Sequence, residues 1–197
     1  MIKNQIKKKI RDFYARFSPV NFGIIFLAML ILLTNSYNST ISAYFTHTYK
    51  WNIDPVIYHS DSGYNEVGAA TNSWYFGDAP QLSSGDFEDC DIWIYKESVA
   101  ESWDGLTISW YTGTVLYEAD TCLNSNYCDG YSSYARRSVI CHEFGHALGM
   151  ADNYLIEQYI AIMNPYTFGG GGYSRYGYYG IYSPQTDDAN GIEYLYG

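Results

Sequence analysis

Hydrophobic spacing along the chain changes character several times. From Val20 to Leu33 the residues are almost continuously apolar, with no polar face. Tyr49 to Tyr58 places Trp51, Ile53, Val56 and Ile57 in a mixed extended pattern, which predicts a first strand with Pro55 at an edge or a break. Tyr64 to Phe76 sets Val67, Ala70, Trp74 and Tyr75 at helical spacing, which predicts an amphipathic helix covering a sheet. Gly77 to Asp89 is polar and reads as a loop. Ile92 to Tyr95, Leu106 to Tyr111 and Val115 to Leu123 predict further strands, the last two joined by a hairpin turn at Thr112 and Gly113.

A helix is expected to start at Ser132 or Ser133, either of which can cap it, and to run through His146. Gly149 ends it, because glycine can take the left-handed conformation that stops a helix. Phe168 to Gly180 alternates glycine and tyrosine and predicts a surface loop. Ser183 and Pro184 then open a short closing helix. Asp187 and Asp188 sit in its first turn, where the helix dipole favours them, and Ile192, Leu195 and Tyr196 form its apolar face.

The apolar run changes meaning once charge is considered. Six of the 11 basic residues precede it and a polar, small-residue segment follows it. Residues 1–43 are therefore expected to be a secretory signal peptide or an uncleaved signal anchor, and residues 44–197 a single domain outside the cell. That part carries 20 acidic and five basic side chains, a net charge of −15, which disfavours nucleic acid and anionic lipid. A membrane partner is expected only if the N-terminal segment stays attached. The four cysteines suggest disulfides in an oxidising setting. The short Cys122 to Cys128 spacing favours a local bridge, which would leave Cys90 to meet Cys141.

The densest chemistry lies in Cys141-His142-Glu143-Phe144-Gly145-His146-Ala147-Leu148-Gly149-Met150-Ala151-Asp152. Two histidines four apart on a helix differ by about 40° around its axis, so both rings can face one ion. A turn at Gly149 would let Asp152 complete a three-ligand zinc site whose remaining position is open to water. Glu143, one position on from His142, suits a general base acting on that water. Asp86, Glu88, Asp89 and Asp91 read as a solvated acidic loop or as donors for a structural Ca2+.

With these residues in place, the chain resembles the metzincin zinc metallopeptidases, and within them the matrixin-like group. The resemblance spans Tyr49 to Gly197. Ala161-Ile162-Met163-Asn164-Pro165 looks like the family's methionine turn, with Met163 beneath the metal, and Asp187 to Gly197 is similar to the closing helix. Aspartate at 152 resembles the snapalysin-type variant, where most matrixins carry a third histidine. No cysteine-switch segment and no histidine-rich second zinc segment is visible. The resemblance implies an α+β, zincin-like (metzincin) catalytic domain: a twisted mixed sheet of about five strands, an active-site helix, the Met-turn and a C-terminal helix. It implies a secreted, monomeric zinc endopeptidase acting on extracellular proteins or peptides, with Glu143 as base and His142, His146 and Asp152 as metal ligands; Tyr166, three residues after Met163, is expected to border the cleft and to donate to a developing oxyanion. The competing expectation is a non-catalytic, zinc-bound adhesion module that uses a tyrosine-rich surface.

Overall fold

The computed structural model describes residues 45–154, 161–169 and 173–197. The expected signal segment lies outside the described residues. Ala43–Gly197 forms one compact unit.

Its elements are β1 (Val56–Ser60), α1 (Val67–Asn72), β2 (Leu82–Ser84), a 3-10 turn (Phe87–Asp89), β3 (Ile92–Glu97), β4 (Gly105–Thr112), β5 (Val115–Asn124), α2 (Ser125–Cys128), α3 (Ser133–Ala147) and α4 (Thr186–Tyr196). The strands make a mixed sheet in the order β2-β1-β3-β5-β4. β1, β2, β3 and β5 are parallel neighbours, whereas β4 runs antiparallel to β5 and forms an edge. β4 reaches that edge through the hairpin expected at Thr112 and Gly113, and Gly113 has a positive φ.

Alternation along β3 buries Ile92 and Ile94 on one face and leaves Trp93 and Tyr95 half-buried on the other, their rings stacked at 4.3 Å. Helix α3 lies across the apolar face with Val139, Ile140, Phe144 and Ala147 fully buried. Its Ser132 cap accepts a hydrogen bond from the Ala135 amide at 3.3 Å. Two indoles fasten it from either side, Trp51 Nε1 donating to the Ala147 carbonyl and Trp74 Nε1 to the Cys141 carbonyl. Arg136 adds a two-pronged ion pair to Glu66, 2.9 and 3.2 Å, just before α1.

Several expectations shift. The first strand starts at Val56, after Pro55 rather than through it; the preceding segment contributes only an isolated bridge, Lys50 to Val115. The helix expected over Tyr64 to Phe76 shrinks to Val67–Asn72, because Trp74 turns away from the helical track to bond α3. The closing helix begins at Thr186. Gln185 caps it, with Asp188 accepting from the Gln185 amide at 2.7 Å.

The disulfides are corrected: all four cysteines are free, buried thiols. Each sulfur is committed to a different neighbourhood. Cys128 donates to the Asp104 carbonyl and Cys90 to that of Phe87, while Cys141 meets the Ser73 hydroxyl. The glycine-tyrosine stretch is also more than a surface loop, since Arg175 and Ser174 within it are buried.

Candidate metal centre

The cluster of His142, His146 and Asp152 grows from the end of α3. Gly149 takes φ 93°, and the Met150 amide returns to the Gly145 carbonyl at 2.9 Å, closing the helix and turning the chain. A side chain at 149 would put its Cβ 2.5 Å from the Tyr49 carbonyl oxygen. Beyond the turn, Asn153 is fixed twice: its amide donates to the Met163 carbonyl at 2.7 Å and its side chain to Asp187 at 2.7 Å. Asp152 is therefore carried back towards the helix. Its Oδ1 stands 3.4 Å from both His142 Nε2 and His146 Nε2, and the two Nε2 atoms are 3.1 Å apart. Among the described residues, this trio forms the group able to share an ion.

Both rings are oriented from behind. His142 Nδ1 donates to the Ile162 carbonyl at 2.9 Å and His146 Nδ1 to the Met150 carbonyl at 3.0 Å. Those bonds assign the proton to Nδ1 in each ring, so each Nε2 presents a lone pair inward. Two lone pairs and a carboxylate oxygen converge with no proton between them, and Asp152 Oδ1 is buried without a hydrogen-bond donor. A cation placed among them would satisfy all three atoms. Ligands about 2.0–2.2 Å from a tetrahedral ion sit roughly 3.3 Å from one another, which matches the observed separations. Nitrogen and carboxylate donors suit zinc.

Electrostatics set an ionised carboxylate against two buried imidazoles that shift in opposite directions. Burial, and after it the Arg175 charge, pulls His142 below the ordinary histidine value. Burial would also depress His146, but Asp152 and Glu143 outweigh it and raise the ring. Burial pushes Asp152 up, yet the two imidazoles hold it far below the usual carboxylate range.

Met163 is buried against α3 between the positions of His142 and His146 in the chain. It packs against Gly145 together with Trp74, and a Cβ at 145 would overlap its sulfur. The turn holding it is tied to α4, because Asp188 accepts from the Ile162 and Met163 amides at 2.8 and 3.2 Å. Asp187 and Asp188 occupy the first turn as expected, and both are in addition buried anchors. Burial pushes both up to about 6, against the amide donors on Asp188.

Glu143, 3% exposed, lines a cleft of about 680 Å³ that also contains His142, His146 and Asp152. Tyr166, expected at the cleft, is there with its side chain 43% exposed. Sequence reasoning missed other residues. Thr107 Oγ1 lies 2.8 Å from Glu143 Oε2, and Gly105 leaves the space that the same carboxylate fills. His47 lines the cleft with His146 and Asp152 because the Phe45 and His47 backbones pair with Ala151 and Gly149. Arg175 is wholly buried and bonds Ser138, the Asn164 carbonyl and Thr167, which pins the loop after Met163. The alternation of β4 in sequence could have pointed to the face shared by 105 and 107; nothing local marked His47 or Arg175. In the acidic segment, Asp91 turns inward to accept from the Ile57 amide at 3.0 Å.

No family model matches the chain, and no curated protein does. A chain of the solved GM1-bound form of the ECX AB5 holotoxin is similar at 15% identity and a TM-score of 0.52, over 78% of this chain and 86% of that one. The fold assignment is corrected accordingly. The likeness found is to a toxin chain, and the zincin-like, metzincin label is set aside in favour of a general α+β architecture with a mixed sheet. The physical reason is one of scale: the label came from short stretches around His142 to Asp152, Met163 and the closing helix, and a site of that size can be carried by unrelated scaffolds.

Proposed function

We propose that this chain is a secreted, metal-dependent endopeptidase that hydrolyses internal bonds of extracellular proteins or peptides as a monomer. The observation that carries the proposal is the convergence of two inward-facing imidazole lone pairs and an otherwise unpartnered carboxylate oxygen next to Glu143 in a cleft. Zinc held by His142, His146 and Asp152 would supply Lewis acidity to the scissile carbonyl and lower the pKa of a bound water. Because Asp152 brings a negative charge, that acidification is weaker than three neutral rings would give, and the base matters more.

Glu143 takes the water proton as the nucleophile adds, then returns it to the departing amine. The carboxylate is suited to this because it is fixed by Thr107 and shielded from bulk water. β4 is an edge strand bordering the cleft through Gly105, Leu106, Thr107 and Ser109, so an extended peptide can lie along it by strand addition. The test is a diverse peptide library incubated with the wild type, the chelated wild type and Glu143→Ala. Cleavage is expected from the first alone, with metal content unchanged in the variant. An alanine variant as active as the wild type would overturn the proposal.

A second reading is supported by the strongly exposed tyrosines, among them Tyr75, Tyr178 and Tyr194 at 74%, 66% and 69%. In that reading the chain is a metal-bound adhesion module, and the likeness to a GM1-bound toxin makes ganglioside-containing vesicles the natural probe. Vesicle binding undiminished in Glu143→Ala, without any cleavage by the wild type, favours it.

A further inference from the structure

We infer that Thr107 is a positioning residue for Glu143: its hydroxyl donates to the carboxylate and holds the general base against β4. The inference rests on the peptidase reading above and adds to it.

Strand period two puts Gly105 and Thr107 on one face of β4, turned towards α3, while Leu106 and Ile108 are exposed on the other. Gly105 leaves room. A Cβ there would lie 2.6 Å from Glu143 Oε1 and 2.8 Å from its carboxyl carbon, so only glycine lets the carboxylate rest against the strand. Thr107 Oγ1 then has three oxygens in reach: Glu143 Oε2 at 2.8 Å, the Glu143 carbonyl at 3.1 Å and Thr121 Oγ1 at 3.0 Å. Thr121 is its registered partner across β5 and is buried.

The Thr107 hydroxyl donates to Glu143 Oε2 and can accept from Thr121 in turn, because a hydroxyl carries one proton and two acceptor lone pairs. The carboxylate is thereby held from the β4 side while it lines the cleft beside His142.

Three variants test this on the full chain. Thr107→Val keeps the shape and removes the hydroxyl; kcat on a cleaved peptide is expected to fall about 10- to 100-fold with KM little changed, the effect of losing a hydrogen bond to a charged group. Thr107→Ser restores the hydroxyl and is expected to recover most of kcat. A valine variant with unaltered kcat, beside an inactive Glu143→Ala, would overturn the inference while leaving the peptidase reading intact. If the wild type cleaves nothing, that reading fails on its own. The contact is then tested in metal-free protein by melting Thr107→Val, Glu143→Gln and the double variant: non-additive shifts support the contact and additive ones refute it.

Discussion

Gly145→Ala separates two effects that usually act together. In an ordinary helix interior the exchange gains about 1 kcal/mol, because alanine has the higher helix propensity. Here the new methyl has nowhere to go. Its position overlaps the Met163 sulfur and falls 2.9 Å from Trp74 Cζ2 and 3.1 Å from Met163 Cε. Both neighbours are 1% exposed, so neither can swing into solvent. Trp74 is further held by its indole bond to the Cys141 carbonyl. Overpacking of this kind costs roughly 3 kcal/mol, the upper part of the usual range, leaving a net loss of about 2 kcal/mol. For a domain of this size that lowers Tm by roughly 4–8 °C. Calorimetry of the metal-free variant is the assay. Metal affinity should fall as well, because pushing Met163 moves the neighbouring Ile162 carbonyl that orients His142. An alanine variant melting at or above the wild type would refute the argument that this glycine is dictated by Met163.

Further outcomes follow from the same contacts. Asp152→Ala is expected to weaken zinc binding more than about 100-fold in a competitive chelator titration, since even losing an outer-layer partner costs up to that much. Asp187, pushed up to about 6 by burial and by Asp188, disfavours folding when ionised; the penalty is absent below its ordinary range near pH 4 and complete above about pH 6. Asp187→Asn should therefore stabilise the protein at pH 8 by about 1 kcal/mol after allowing for solvent screening, read as a higher melting temperature, and leave it unchanged at pH 4. Equal gains at both pH values would contradict this. Burial pushes the Cys122, Cys128 and Cys141 thiols up to about 11, 12 and 12, so a thiol reagent should find almost nothing in native protein and all four cysteines after denaturation. A missing pair of thiols after denaturation would point back to a disulfide.

Local signals proved the most legible. The cap at Ser132, the stop at Gly149 and the hairpin at Thr112 and Gly113 each depend on a few adjacent residues, and all three occur where the sequence places them. The same locality made the His142, His146 and Asp152 grouping readable, because a helix and one turn suffice to assemble it. Features depending on distant partners were not visible. Nothing near Trp74 announces that its indole will leave the helix for Cys141, nor does the spacing of Cys122 and Cys128 disclose that their sulfurs bond elsewhere. Asp187 and Asp188 do sit in the first turn of the closing helix, but nothing near them in sequence discloses that Asp188 also takes the Ile162 and Met163 amides. The fold label failed for a related reason: it generalised from one site to a whole architecture.

The two imidazoles are steered by peptide carbonyls rather than by side chains. A carbonyl is supplied by any amino acid, so Met150 and Ile162 can change identity without changing the ring tautomers they impose. The aim of the site is thereby insulated from sequence drift so long as the chain keeps its path, and selection on this feature acts on backbone route. Tuning is left to Asp152, where exchange alters charge and affinity at once.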